Sequence, residues 1–570
     1  MKILITPSTG FDGSLYLQEI LLAFGLCAIE CAPLSEALAT ATPGADLLLL
    51  PSGSETEGVE PFLRAGGTVI AIQPSAELAG LAGLTSKSSG QTRSRLRFNT
   101  ALCPGTRGEP LWTLGPCTHY ETASHESINA YLFEPNDLSS ECPGIVQAEV
   151  GTGSLTVFAY DPAQCIARIR QGYPERANIV PAGRPVPRSI HLHQPDPPYD
   201  TGWRPSADLH AAAFCEVVAN ELARHAPVPT LWHLPGGSPA LLIFSGDEDG
   251  STQEANQQEM SDLEAHDGAM SLYVIPDGTS ITRELIESYT ARGHTVSVHP
   301  NLVPTCGQSQ DEQLACAEAQ VLLFKELFGQ PVRTLRNHCT MWPGYLELPL
   351  LWERLGIGMD ADCFATRYMQ SCDWGPYVNI GAAMPLPFVQ EDGALIDVYQ
   401  QPTHINDDCQ CHPSVDYSQK YSAAQFDRIA TRILDDAVRH FHAPLCANFH
   451  PCNYVSFATE HGLALMRRAR ERGMPIWSLD RWHDFWRARA SWRMSEQSWD
   501  GNTLSYTLTG DSTEGLWITL PAAFGEKRLS TLTFNKAAAE LHFVERFGQA
   551  VAHAPLPEGS GKVGVEVVYE

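Results

Sequence analysis

Two aspartates close the stretch Leu241–Gly250, LLIFSGDEDG: Asp247 and Asp249, with one residue between them, just before Gly250. The apolar run Leu241–Phe244 predicts a buried strand of parallel type. Acidic residues leaving the carboxyl end of such a strand sit where α/β folds place their chemistry. One carboxylate can bind a metal while its neighbour takes a proton. Alone, such a loop equally suits the cap of a following helix. Four more polar sets change that balance. They are Gly293–His299 followed by Pro300, then Arg336-Asn337-His338 with Trp342 and Tyr345 behind it, then Asp397 to His404 with Asp407 and Asp408 beyond, and Asn448-Phe449-His450. His294 and His299 fall on opposite faces of one strand, so only His299, at its end, is a ligand candidate. If these strand ends share one mouth, Asp249, His299 and His338 supply a carboxylate and two imidazoles. Three protein ligands with one position left open is what a catalytic zinc site needs. Water in that position becomes acidic enough to attack. Trp342, Tyr345, Trp374 and Tyr377 suit either stacking on a sugar face or plain packing.

The elements that would hold these groups fall between residues 236 and 488. Strands are expected at Leu241–Asp247, Ser271–Ile275, His294–His299, Thr334–His338, Gly358–Cys363, Ile396–Thr403, Leu445–Pro451 and Ile476–Leu479. Helical spacing lies between most of them. About seven βα units in that length predict a barrel-like parallel sheet. Residues 1–230 open with alternating strand and helix: Lys2–Thr6, Leu15–Phe24, Asp46–Pro51, Val59–Arg64 and Thr68–Ile72. A β-rich segment of about 92–165 and a Pro-rich loop complete that domain, and Pro227–Pro239 reads as a linker. Residues 493–570 alternate apolar and polar positions between Gly, Asn and Asp turns. That pattern predicts a small β-sandwich, read as packing rather than catalysis. The whole is an α/β multidomain chain.

Composition narrows the partners. The net charge is −28, which argues against nucleic acid, anionic membranes and polyanionic substrates. It suits a neutral substrate or a product that becomes an amine. No run of about eighteen apolar residues appears, and the chain opens on a strand, so a cytoplasmic protein is the expectation. Sixteen cysteines without a leader read as reduced. Cys409-Gln-Cys411-His412 lacks the second pair of a zinc knuckle. The oligomeric state is left open.

Two resemblances follow from these motifs. ADLLLLPSG…VEPFLRAGGTVIAI resembles the flavodoxin-like fold of class I glutamine amidotransferases. The turn that carries their nucleophilic Cys is here Gln73-Pro74-Ser75-Ala76, so the resemblance implies the fold without that activity. Residues 236–488 resemble the polysaccharide deacetylase family with NodB homology, carbohydrate esterase family 4, whose fold is a distorted (β/α) barrel. Its first motif, T-F-D-D-G, matches Phe244–Gly250, which implies Asp247 as general base and Asp249 as metal ligand. Its second motif matches through His299, but its second His would fall at Val303, and His338 is expected to replace it. Its Arg matches Arg336, and its fourth-motif Asp is aligned with Asp397. Its Leu-x-His matches Asn448-Phe449-His450 and implies His450 as general acid. The resemblance implies a divalent metal, zinc with cobalt or nickel as alternatives. It implies removal of an acetyl group from an N-acetylated sugar, with Trp342, Tyr345 and His404 against the substrate. A small non-sugar amide, or a degenerate carbohydrate-binding scaffold, are the other readings.

Overall fold

The computed structural model describes residues 1–122, 128–181, 186–193, 202–366 and 375–570, without the side chains of 89–92 and 138. The N-terminal region is built on one nine-stranded sheet. Ile29–Cys31, Ile3–Ile5, Leu47–Leu50, Thr68–Ile72 and Gly153–Phe158 run parallel. The three central runs of aliphatic residues are wholly buried, as strands covered on both faces must be. The β-rich segment extends the same sheet. Asp137–Val150 pairs antiparallel with Gly153–Phe158, and Ile128–Glu134, Leu84–Phe98 and Leu111–Thr122 follow outward. An unpaired strand edge accepts further strands, and here the inserted chain covers it. In the turn after Thr68–Ile72 the left-handed residue is Gln73. Its side chain donates to the Pro116 carbonyl at 2.9 Å.

The central region departs from the expected barrel. Six strands form one parallel sheet: Thr295–Val298, Met270–Val274, Leu241–Asp247, Pro444–Asn448 and Ile405–Asn406, with Ile476–Ser478 also against Leu241–Asp247. A second sheet holds Thr334–Leu335, Met359–Asp360 and Leu395–Gln400 in parallel, with Leu386–Val389 antiparallel at its edge. Among the described residues no ladder joins the two sheets, so the ring stays open. The strand facing the gap, Thr334–Leu335, is two residues long, and its described ladder is with Met359–Asp360. Other bonds bridge it instead. Ser297 Oγ donates to the Thr334 carbonyl at 2.6 Å, and the His338 amide donates to Pro300 at 2.9 Å. At the opposite end of the strands, one oxygen of Asp480 accepts from Ser271, Thr295 and Thr334.

The last region is two antiparallel sheets. One runs Arg493–Trp499, Thr503–Thr509, Lys562–Tyr569, Lys527–Phe534 and Ala523–Phe524, with Ala537–Ala538 beside it. The other contains Trp517–Pro521, Gln549–Pro555 and His542–Arg546, and it takes in Thr230–Leu231 from the linker. No described helix is long and apolar enough to cross a membrane.

Arg489 ties the three regions together. It is buried, and it donates to the carbonyls of Leu22, Leu231 and Trp232 at 2.8–2.9 Å. Burial holds its guanidinium down at about 10. Replacing it with Met strands three buried carbonyls. Arg489→Met is therefore expected to lose roughly 3–5 kcal/mol of stability in urea unfolding. A loss under about 1 kcal/mol would show that the junction is held elsewhere.

Candidate metal centre

Strand Leu241–Asp247 is buried throughout, and its end is shaped by close packing. A side chain on Gly246 would lie 2.6 Å from the Phe449 carbonyl. Glycine there lets the two catalytic-looking strand ends lie side by side. The chain then turns through Asp249 and Gly250, both at positive φ. The Glu248 amide bonds Tyr273 O at 2.8 Å, and its carboxylate accepts from the Gly250 amide at 3.1 Å. Glu248 is thereby used within the turn, while Asp247 and Asp249 face the rim.

Two imidazoles converge on one oxygen of Asp249. His299 Nε2 lies 3.3 Å from Oδ1 and His338 Nδ1 lies 3.2 Å from it. Their rings stand nearly perpendicular, 5.3 Å apart. His299 is 1 % exposed. Its Nδ1 lies 2.6 Å from the Arg336 carbonyl, which can only accept, so the proton sits on Nδ1. Nε2 then faces Asp249, and it has no well-aligned hydrogen-bond partner among the described residues. An orphaned buried nitrogen of this kind calls for an unseen partner, and a second-sphere carbonyl on the other nitrogen is how a ligating His is usually oriented. Zinc bonds of ~2.0–2.1 Å in a tetrahedron set ligand atoms about 3.3 Å apart. The two separations from Asp249 Oδ1 match, and all three donors lie within 4.8 Å of one another, so the set fits a divalent cation. Burial disfavours charge on His338, but the Asp249 carboxylate outweighs it and holds the ring up at about 10. Burial also opposes charge on Asp249, yet the two imidazoles hold its carboxyl far below the usual range. Val303 lies in a short turn, Val303–Thr305, and His338 meets Asp249 in its stead.

Asp247 is held by a different set. Its Oδ1 accepts from Arg336 Nη1 at 2.9 Å and its Oδ2 from Asn448 Nδ2 at 2.9 Å. Arg336 is fully buried and spends every N–H. It also donates to Asn448 Oδ1, Ser245 Oγ, Thr403 Oγ1 and the Ala361 carbonyl at 2.6–3.2 Å. Burial pushes the Asp247 carboxyl up, but Arg336, His299 and His450 outweigh it and leave it below its ordinary value. Asp362 fixes the segment between Arg336 and His338. It accepts both the amide and the side-chain N–H of Asn337 at 2.7 Å.

His450 completes the rim. Its Nδ1 lies 2.7 Å from Asp407 Oδ1, and its own amide donates to Asp407 Oδ2 at 2.8 Å. Nε2 faces Asp249 Oδ2 at 3.7 Å and Asp247 Oδ2 at 3.8 Å. Burial opposes the imidazolium, yet Asp407, then Asp408 and Asp247, raise it well above the ordinary histidine value.

The structure thus brings together Asp247, Asp249, His299, Arg336, His338 and His450. It sets the other candidates apart. The Asp397 side chain is 71 % exposed and paired with Arg487, away from the centre, and the carboxylate against His450 is Asp407. His404 is fully buried with both nitrogens bonded, to Ala382 O and the Cys446 amide, and burial lowers it to about 4. Trp342 is buried, donating to Tyr345 O and packed near Phe388. Tyr345 turns toward Gln171 and Arg168 of the N-terminal region. His404 and Trp342 are thus covered by the fold, and Tyr345 is half-buried. Tyr377 is buried against His404, and Trp374 lies outside the described residues. Asp407 carried a legible signal: it follows the strand Ile405–Asn406 directly, as Asp249 follows its own strand. Asn448, the last residue of Pro444–Asn448, stood in the same polar set as His450 but with no role assigned to it.

No family model and no curated protein matches the chain. Solved structures of deacetylases do. A carbohydrate deacetylase, Agd3, is 11% identical with a TM-score of 0.40, over 99% of this chain and 98% of that one. The peptidoglycan deacetylase PdaC of Bacillus subtilis is 10% identical with a TM-score of 0.26, over 44% and 93%. The polysaccharide deacetylase Bc1974 of Bacillus cereus is 13% identical with a TM-score of 0.25, over 42% and 91%. Scores this low transfer no residue role to this chain.

Removing the guanidinium tests the electrostatics. Arg336→Met leaves Asp247 buried without its countercharge, a loss of roughly 3–5 kcal/mol at pH 7. In the native protein the Asp247 carboxyl lies below its unfolded value. Its contribution is complete above pH ~4 and is lost as pH falls through the folded value. In the variant burial prevails, the folded value rises above the unfolded one, and stability is lost as pH rises instead. The variant's deficit in urea midpoint should therefore be smaller at pH 4 than at pH 7. An equal deficit at both would show that Asp247 does not depend on Arg336.

Proposed function

We propose that this chain is a metal-dependent hydrolase that removes an acetyl group from an N-acetylated sugar. In this reading Asp249, His299 and His338 hold one divalent cation, zinc with cobalt or nickel as substitutes. The observation that supports it most strongly is the orphaned Nε2 of His299, buried and aimed with His338 at one oxygen of Asp249. A cation bound there would polarise the amide carbonyl and make water a nucleophile at neutral pH.

The chain's own groups do the rest. Asp247 is ionised and faces the same opening, so it can take the proton of the attacking water. Arg336 and Asn448 hold both its oxygens, which fixes its direction. His450 is a cation whose Nε2 opens toward the same space, so it can protonate the departing nitrogen. Without that proton an amide does not release its amine. Asp407 grips Nδ1, keeping the ring charged and its free edge aimed at the leaving group. The exclusion of polyanions by a net charge of −28 favours a neutral acetamido sugar that leaves as a cationic amine.

Asp249→Ala should drop bound zinc, read by plasma mass spectrometry, from about one equivalent to under a tenth. Deacetylation of a chitin oligosaccharide should fall with it by at least ~100-fold. Retention of both would reject the assignment. Asp247→Asn should keep the metal and lose roughly 100- to 10,000-fold in kcat. The pH profile tests His450 separately. A general acid acts while protonated, so the rate is lost as pH rises through its pKa. Asp407→Asn withdraws the charge that raises His450, and the alkaline limb should move down by about one unit or more. An unmoved limb would take the proton-donor role away from His450.

A further inference from the structure

The free edge of His450 is bordered by three carboxylates. Two are already used: Asp247 accepts from Arg336 and Asn448, and Asp249 faces the two metal-site imidazoles. The third is Asp408, whose Oδ2 lies 4.0 Å from His450 Nε2. The loop is built to hold it there. Asn406 accepts from the Cys409 amide at 3.0 Å, the Asp408 amide donates to Asp407 Oδ1 at 2.8 Å, and Asn453 Nδ2 donates to Asp408 Oδ1 at 2.9 Å. With Oδ1 anchored, no described side chain or amide donates to Oδ2. The Asp408 side chain is a quarter exposed, at 24 %, so this oxygen looks onto the opening. Burial raises its carboxyl above the ordinary value, a cost that a donor from a ligand would relieve.

An atom that takes a proton from His450 Nε2 must come within hydrogen-bond distance of it, about 2.8–3.0 Å. That atom is the scissile nitrogen if the hydrolase reading above holds. Asp408 Oδ2 is then within reach of a group on the neighbouring carbon and of the ammonium once it has formed.

We propose that Asp408 recognises the leaving group. Its Oδ2 accepts a hydrogen bond from a hydroxyl carried next to the scissile nitrogen, and then from the product ammonium. The centre thereby selects amides of vicinal amino alcohols, the arrangement in 2-acetamido sugars. Leaving groups without such a donor gain nothing from it. A hydrogen bond to a charged acceptor is worth roughly 10- to 100-fold in binding.

The test compares the zinc-loaded full chain with Asp408→Asn on two substrates, an N-acetylglucosamine tetrasaccharide and 4-nitrophenyl acetate. The ratio of their kcat/KM values should fall at least tenfold in the variant, with zinc content unchanged. Calorimetry with the glucosamine tetrasaccharide should show at least tenfold weaker binding to the variant. Equal losses on both substrates, or unchanged amine binding, would overturn the proposal. Loss of zinc in Asp408→Asn would also overturn it, because Asp408 would then be a cation ligand. If the native protein cleaves neither substrate, the hydrolase reading fails, and the amine-binding comparison alone decides the role of Asp408.

Discussion

A single buried guanidinium sets the geometry on which the centre depends. Arg336 leaves the short strand Thr334–Leu335 and reaches across an open ring. It bonds Ser245 and Asp247 on one strand, Asn448 on the next, and Thr403 and Ala361 from the other sheet. No described backbone ladder closes this ring, so single backbone bonds and side chains bridge it. A cation buried at 0 % exposure persists only when its donors are all met, and five acceptors meet them here. The same side chain therefore fixes the strand ends and keeps Asp247 ionised. Its carbonyl also accepts from His299, which sets the tautomer of the first imidazole.

From that anchor the polar groups divide by environment. Asp247 has both oxygens hydrogen-bonded to nitrogen donors and is poised for proton transfer. Asp249 has one oxygen facing two imidazoles and suits a cation. His299 is bonded through Nδ1 to a carbonyl, leaving Nε2 inward. His450 is bonded through Nδ1 to a carboxylate, which favours the imidazolium. Chemically similar residues thus take different parts because their outer partners differ.

Much of this was legible in the chain itself. The aliphatic run Leu241–Phe244 marks the strand, and its carboxylates fall at the strand's carboxyl end. His299, Arg336, His338 and His450 announce themselves by the same placement. Asp397 could have been rejected by alternation: Ile396 and Val398 face inward, so the residue between them faces out. His404, Trp342 and Tyr345 show the opposite limit. Their ring types suited a substrate surface, but what covers a side chain comes from distant segments, such as Ala382 over His404. The open ring was equally hidden, because periodicity gives strands and not the partners along their edges. The β-rich segment gave its strands in the same way without showing that they prolong the first sheet.

The central claim is that residues far apart in the chain share one cation. The most direct measurement is anomalous diffraction at the zinc edge from crystals of the zinc-loaded protein. The account predicts one strong peak per chain, about 2.0–2.2 Å from the Asp249 carboxylate, His299 Nε2 and His338. A protein that holds no stoichiometric zinc, or a peak that leaves His299 Nε2 without a bond, would contradict it.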